Sequence, residues 1–218
     1  MKYDLHTHTK YSPDGFLEPK RIVETAIRRG LSGIAVTDHN TIKGALNAKK
    51  YETDDFHVIC GSEISTERGE VIGLFLSSEI TSHTFHDVVK EIKEQDGIVV
   101  LPHPFDDVRR NGIQLRKEES KLIDCVEVYN SRCLRQKYND NAFQFAQENS
   151  LIGVAGSDAH FAREIGKAGV SIGDYDARKA ILNGNLDLFG EKSSILNLIV
   201  TKLIKTLRGS NSAYLKLI

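Results

Sequence analysis

MKYDLHTHTKYSPDG, residues 1–15, opens as a β-rich run and sets two histidines, His6 and His8, two positions apart. Side chains alternate across a strand, so Leu5 and Thr7 point one way while His6 and His8 share the other face. Two imidazoles on one face can pinch a metal ion. An isolated His-x-His is also met on strands that simply carry two surface or core histidines. The rest of the chain has to separate these readings.

Downstream, apolar β-rich runs alternate with amphipathic stretches. Helices are expected near Pro19 to Arg29, Thr41 to Lys50, Thr84 to Glu94 and Leu134 to Glu148, with strands in SGIAVT, FHVICGSE, EVIGLFL, GIVVLPH, DCVEVYN and LIGVAGSDAH, and a last one near Gly169 to Ile172. Pro19 suits a first helical turn, where its missing N–H would be unpaired anyway. Such βα alternation predicts a mostly parallel sheet. Strand after strand ends in ligand-type side chains: His6 and His8, Asp38 and His39, Glu63, His103, Glu127 with Asn130, and Asp158 with His160. A parallel barrel brings its strand C-termini to one mouth, whereas an open doubly wound sheet gathers them less completely. The expected architecture is a single α/β domain, a closed or nearly closed barrel of six or seven strands.

Bulk properties agree with one such domain. The chain has 218 residues, 40% apolar and 27% charged, which excludes disordered and fibrous classes. Its net charge of -1 gives no general attraction to nucleic acid or an anionic membrane, so contacts with phosphate must be local. Cys60, Cys125 and Cys133 have no close C-x-x-C spacing and read as buried thiols rather than disulfides or metal ligands. With no secretory stretch and no run of about 18 apolar residues, a cytoplasmic location is expected.

Five histidines and several carboxylates at successive strand ends are hard to explain as packing, because burying that many ionisable groups unpaired is costly. Imidazole and carboxylate together suit Zn²⁺, Mn²⁺ or Fe²⁺. The blocks DLHTHTKYSPDG, VTDHN, GSEIS, LPHP and GSDAH, in this order over about residues 1 to 175, resemble the motifs of the PHP family, the polymerase and histidinol phosphatase domain. The resemblance implies a distorted (β/α)7 barrel with two or three divalent metals, Mn, Zn or Fe, that hydrolyses a phosphoester by a metal-bound hydroxide. It implies that His6, His8, Glu63 and Asp158 hold a first metal. Glu63 would bridge to a second metal shared with His103, and Asp14, His39 and His160 would hold a third. His39, Glu63 and Asp158 would thereby be catalytic, with Asp38 as a support for the ligands or a substrate contact.

One departure stands out: many members of that family carry another histidine soon after the glutamate motif, and GEVIGLF has none. The second metal is then weaker, more solvated, or assisted by Glu127 or Asn130. His83 and His86 read as exposed helix residues, and His57 as structural at the opposite end of its strand.

Arginine pairs bidentately with phosphate oxygens, and Arg109, Arg110, Arg132 and Arg163 all follow ligand motifs, which makes them, with Asn130, candidate substrate contacts. The expected substrate is a small phosphomonoester, a nucleotide or the end of a short oligonucleotide, with no long nucleic acid and no membrane as partner, and the chain is expected as a monomer or small homo-oligomer. Two other readings stay open. One is a non-catalytic metal-binding domain; the other is an amidohydrolase, which also starts from His-x-His but typically uses a mid-barrel lysine that GIVVLPH lacks. Beyond the motif-bearing core, residues 176–218 read as a helical extension. Its apolar positions 196, 199, 200, 203, 204 and 207 form a helical stripe, with Lys202, Lys205 and Arg208 between them. That helix is expected to pack on the barrel.

Overall fold

The strand carrying His6 and His8, β1 (Lys2–Thr7), pairs in parallel with β2 (Gly33–Val36), which pairs in parallel with β3 (His57–Thr66). Every residue of β2 is buried, as expected where a sheet is covered on both faces. The computed structural model describes residues 1–218 apart from 110, 111, 114, 117, 174, 175, 202, 204, 205 and 207–218. β3 folds back into β4 (Gly69–Leu74), which runs antiparallel to both β3 and β5 (Ile98–Leu101). β5, β6 (Cys125–Asn130) and β7 (Ile152–Gly156) are parallel again, and β8 (Ala168–Ile172) and β9 (Leu186–Gly190) extend the other edge of β1 as antiparallel strands. The order is β7-β6-β5-β4-β3-β2-β1-β8-β9.

The two ends of the β1–β7 arc meet where the ligand motifs lie. Asp158 donates its N–H to the His6 carbonyl at 2.8 Å, and His8 donates to the Ala159 carbonyl at 2.9 Å. This stitch makes the sheet a nearly closed α/β barrel, as expected from the strand-end pattern. The expectation of a mostly parallel sheet is corrected: the β3–β4 hairpin reverses one strand, and β8 and β9 add antiparallel pairing at the other edge.

Helices α1 (Pro19–Arg28), α2 (Lys43–Lys49), α3 (Phe85–Glu94) and α4 (Gln136–Glu148) cover the outside. Ile22, Val23 and Ala26 of α1 recur at helical spacing and pack with Ile34, Val36 and Val58 in the layer between helices and sheet. The alternate residues of the same strands, Ala35 and Ile59, join Leu5, Ile72, Val100 and Val154 in a second core inside the barrel. Ala180 and Ile181 of α5 (Ala177–Leu182) belong to this inner core. The side chains at the other end are then free to be polar. No helix among the described residues is long and apolar enough to cross a membrane.

The extension beyond residue 175, expected to be helical, also contributes a strand to the sheet. β9 pairs with β8 along its length, and the last described helix, starting at 195, packs over the mouth of the barrel, with Asn197 and Thr201 buried.

Candidate metal centre

His6, the last but one residue of β1, is 1% exposed, and its Nδ1 lies 2.9 Å from Glu127 Oε1 on β6. His8 is fully buried, with Nδ1 3.0 Å from Ser12 Oγ; that hydroxyl donates to Asp38 at 2.9 Å and accepts from the His39 backbone N–H. Both Nδ1 atoms therefore face acceptors and carry protons, which leaves Nε2 of each neutral imidazole as the atom that can bind a metal. Those two Nε2 atoms stand 3.0 Å apart. A proton on His6 Nε2 can bridge them; a cation that displaces it would meet both lone pairs, and with the Glu63 and Asp158 carboxylates alongside this donor set fits a divalent metal.

Other ligand-type atoms close round the same space. Glu63 Oε2 is 3.4 Å from both His6 and His8 Nε2, and Asp158 Oδ1 is 3.3 Å from His8 Nε2. His103 Nε2 lies 3.1 Å from Glu63 Oε1. Asp14 approaches His160 Nε2 at 3.3 Å and His39 Nε2 at 3.6 Å. Seven of the eight expected metal ligands, His6, His8, His39, Glu63, His103, Asp158 and His160, fall in overlapping groups that could each hold an ion, and Asp14 joins them through its contacts with His160 and His39. Two of them hold unusual backbone, His103 with φ 27° and Asp158 with φ 55°. Such conformations cost on the order of 1–3 kcal/mol each and persist where surrounding structure imposes them.

The charges respond to this crowding. Burial opposes charge on His6, but the Glu127, Asp158 and Glu63 carboxylates outweigh it and raise its pKa well above the ordinary value. For His39, burial is likewise outweighed by Glu63 and Asp14, giving a pKa of about 9. His8 goes the other way, to about 3, because burial and the neighbouring His160 both disfavour its cation. Glu63 and Asp158 lie well below the carboxylate range; burial opposes this, but His6 and, respectively, His39 and Arg109 hold them ionised. Burial also pushes the thiols up, Cys60 to about 11 and Cys125 and Cys133 to about 12, so they remain protonated and away from the metal chemistry.

Sequence reasoning missed Glu70. It lies on β4, 6% exposed, with Oε1 3.7 Å from His39 Nδ1, and forms a ligand group with His39 and Glu63. The signal was available: in the β3–β4 register Glu63 faces Ile72 and Ser65 faces Glu70, so Glu70 projects to the same face as Glu63. It occupies the neighbourhood for which Glu127 or Asn130 was expected to lend a ligand. Glu127 instead accepts from His6, from the His103 backbone and from Asn130, and so orients ligands without joining them.

The contacts of three further residues make their roles specific. Asp38, expected as a support for the ligands or a substrate contact, is fully buried and accepts from the Thr9 N–H and hydroxyl, both at 2.6 Å, and from Ser12; it anchors the loop behind His8, which is the supporting arrangement. Asn130, expected at substrate, is fully buried between Glu127, Asp158 and Arg109. Arg132 lines the cavity above the ligands although it is only 3% exposed, with Nη1 against His160 Nδ1 and Nη2 donating to Thr201 Oγ1 at 2.7 Å, so it also ties the last helix to the ligand cluster. Arg109 lines the same cavity, where it pairs with Asp106 and Asp158. Arg163 is exposed and stacks over Phe161, and Arg110 lies outside the described residues. Of the remaining histidines, His83 and His86 are exposed at the start of α3, and His57 opens β3 far from the ligands.

Above the ligands is a cavity of about 340 Å³, lined by Glu63, Glu70, His103 and Arg109 below and walled by Val108, Leu134, Leu198 and Thr201. That volume is at the small end for ligand sites.

Comparison with known proteins agrees with this geometry. The model of the PHP domain matches residues 4–199. Two uncharacterised proteins of Methanocaldococcus jannaschii are similar, one 39% identical over 60% of this chain and 82% of that one, the other 34% identical over 82% and 73%. A two-domain Bacteroides vulgatus protein containing a predicted PHP-like metal-dependent phosphoesterase superposes with a TM-score of 0.72 at 22% identity, over 88% of this chain and 65% of that one. An amidohydrolase from Chromobacterium violaceum superposes with a TM-score of 0.59 at 17% identity, over 73% and 88%. At such low identity these superpositions speak for the fold alone. With its family model spanning nearly all of the described barrel, this chain belongs to the PHP domain family.

Proposed function

We propose that the protein is a metal-dependent phosphomonoesterase for a small substrate, a nucleotide or the end of a short oligonucleotide included. The observation that carries this is the pair of His6 and His8 Nε2 atoms, 3.0 Å apart among Glu63, Asp158 and the other ligand-type groups, at the base of a small cavity. His6, His8, Glu63 and Asp158 would hold one ion, Glu63, His103 and Glu70 a second, and Asp14, His39 and His160 a third. When bound, such ions act as Lewis acids towards phosphoryl oxygens and lower the pKa of water.

The protein's own groups supply the rest. Glu127 and the Ser12–Asp38 pair orient the rings of His6 and His8, so that each imidazole, when neutral, turns its Nε2 lone pair towards the ion-binding space. Arg109, on the cavity wall and steered by Asp106, offers a fixed cation to the anionic substrate. Leu134 and Leu198 narrow the mouth and exclude bulk water from the reacting end. The same walls favour a small substrate over a long duplex, which would need many phosphate contacts. A cytoplasmic monomer or small homo-oligomer fits this reading.

The test is release of inorganic phosphate from glycerol phosphate, AMP and a short 5′-phosphorylated oligonucleotide after loading with Mn²⁺, Zn²⁺ or Fe²⁺. Turnover that vanishes on chelation and returns with metal supports the proposal. Metal binding without turnover of any of these esters would leave the non-catalytic reading, and hydrolysis of amides instead would favour the amidohydrolase one.

A further inference from the structure

Two of the ligands to the third group, Asp14 and His160, are followed almost immediately by aromatic residues. Phe16 lies two positions after Asp14, and Phe161 is next to His160. The loop after β1 and the loop after β7 come together at this point through the Asp14–His160 contact of 3.3 Å. Their rings come together too: the centroids of Phe16 and Phe161 are 5.8 Å apart with planes only 10° from parallel. At that separation the rings are displaced sideways rather than eclipsed. Phe16 is 37% exposed and Phe161 partly so. Arg163 extends the surface, with its guanidinium carbon 5.4 Å from the Phe161 ring centre.

A single exposed aromatic ring needs no explanation. A parallel pair with an arginine over one ring, attached to two residues of a metal cluster, is a different object. Flat faces of this kind are what bases and other planar rings stack on, and a guanidinium plane serves the same purpose. One or two residues of chain separate the ledge from the ligands, about 4 to 7 Å along the backbone. A single sugar spans a similar distance between its phosphate and its ring substituent.

We propose that Phe16 and Phe161, extended by Arg163, form a stacking ledge for a flat ring in the alcohol half of the substrate. The preferred substrates are then ring-bearing phosphomonoesters of the nucleoside monophosphate type. This rests on the phosphomonoesterase reading, because it supposes that the phosphate lies on the metal cluster. Phe16 and Phe161 determine specificity and take no part in the chemistry.

The experiment uses the full chain loaded with Mn²⁺ and two probes that cannot turn over, the methylenephosphonate analogues of AMP and of ribose 5-phosphate, titrated by calorimetry. Base–aromatic stacking predicts that the adenosine analogue binds about 5- to 100-fold more tightly than the ribose analogue. Phe161→Leu and Phe16→Leu, which keep an apolar side chain but lose the ring, should bring that ratio close to one without changing metal content. Phe161→Tyr should preserve it. In kinetics with AMP itself, the leucine variants should raise KM and leave kcat in place, while ribose 5-phosphate is handled as before. Equal affinity for the two analogues, or a full ratio retained in both leucine variants, would overturn the ledge. If the ring preference is found but AMP is not hydrolysed, the ledge stands and the hydrolytic reading fails.

Discussion

Glu70 Oε2 stands 3.9 Å from His103 Nε2, and its other oxygen 3.7 Å from His39 Nδ1. Both distances are too long for hydrogen bonds and suit donor atoms that share an ion. On the proposed reading, a carboxylate here would take the place of the histidine that the sequence lacks after Glu63. Its hardness favours Mn²⁺ or Fe²⁺ over softer ions at that position. Glu70→Ala is expected to weaken retention of one ion by about tenfold or more, with little change in fold, whereas Glu70→His should keep it. Elemental analysis after dialysis against graded chelator reads the difference, and unchanged metal content in the alanine variant would remove Glu70 from the centre.

Glu127 does not line the cavity above the ligands, yet it accepts from His6 Nδ1, the His103 N–H and Asn130. Glu127→Gln lets the amide donate towards His6 Nδ1 and frees the imidazole to adopt the other tautomer. Metal affinity should fall about 10- to 100-fold while thermal stability of the metal-free protein changes far less. Equal metal affinity in the variant and the parent protein would show that the His6 tautomer is fixed by something else.

The metal-free protein should have an inverted pH response. His39 has a folded pKa of about 9 against about 6.5 for an unfolded histidine. A raised pKa means that its stabilising contribution is complete below pH about 6.5 and is lost as the pH rises through about 9, and His6 acts in the same direction. His8, held down to about 3, is neutral in the fold, so its contribution is lost as the pH falls below about 6.5. Chelated protein should therefore melt at its highest temperature near pH 6.5 and at lower temperatures towards pH 9. Added Mn²⁺ should abolish that alkaline decline, because metal takes the neutral imidazoles. Calorimetric Tm values across this range, with and without metal, decide it; a chelated Tm that is level from pH 6.5 to 9 would contradict the charge assignment.

Much of the fold and of the centre is legible in the amino-acid sequence. The period-two spacing of His6 and His8 and the recurrence of ligand types at strand ends point to both the barrel and its mouth, since strand alternation and parallel closure convert sequence position directly into direction. Glu70 escapes such a reading because EVIGLFL shows mainly its apolar content, and only the antiparallel register with β3 shows which face its glutamate takes. Asp38, Asn130 and Arg132 carry the right chemistry in the right motifs, but a polar side chain at a strand end can face the cavity, brace a ligand, or, like Arg132, do both. That choice is made by packing across elements distant in sequence, such as the Arg132 contact with Thr201. The position of the last helix over the mouth is of the same kind: its apolar stripe announces a packed face without saying what it packs on.

The central claim is that the ligand ring performs phosphoester hydrolysis with bound metal. The most direct measurement is release of inorganic phosphate from AMP by chelated, Mn²⁺-restored protein, beside His6→Ala and Asp158→Ala variants shown by circular dichroism to be folded. The expected result is no release from the chelated protein, recovery on adding Mn²⁺, and no recovery in either variant. Release that persists after chelation, or that survives in both variants, would contradict the claim.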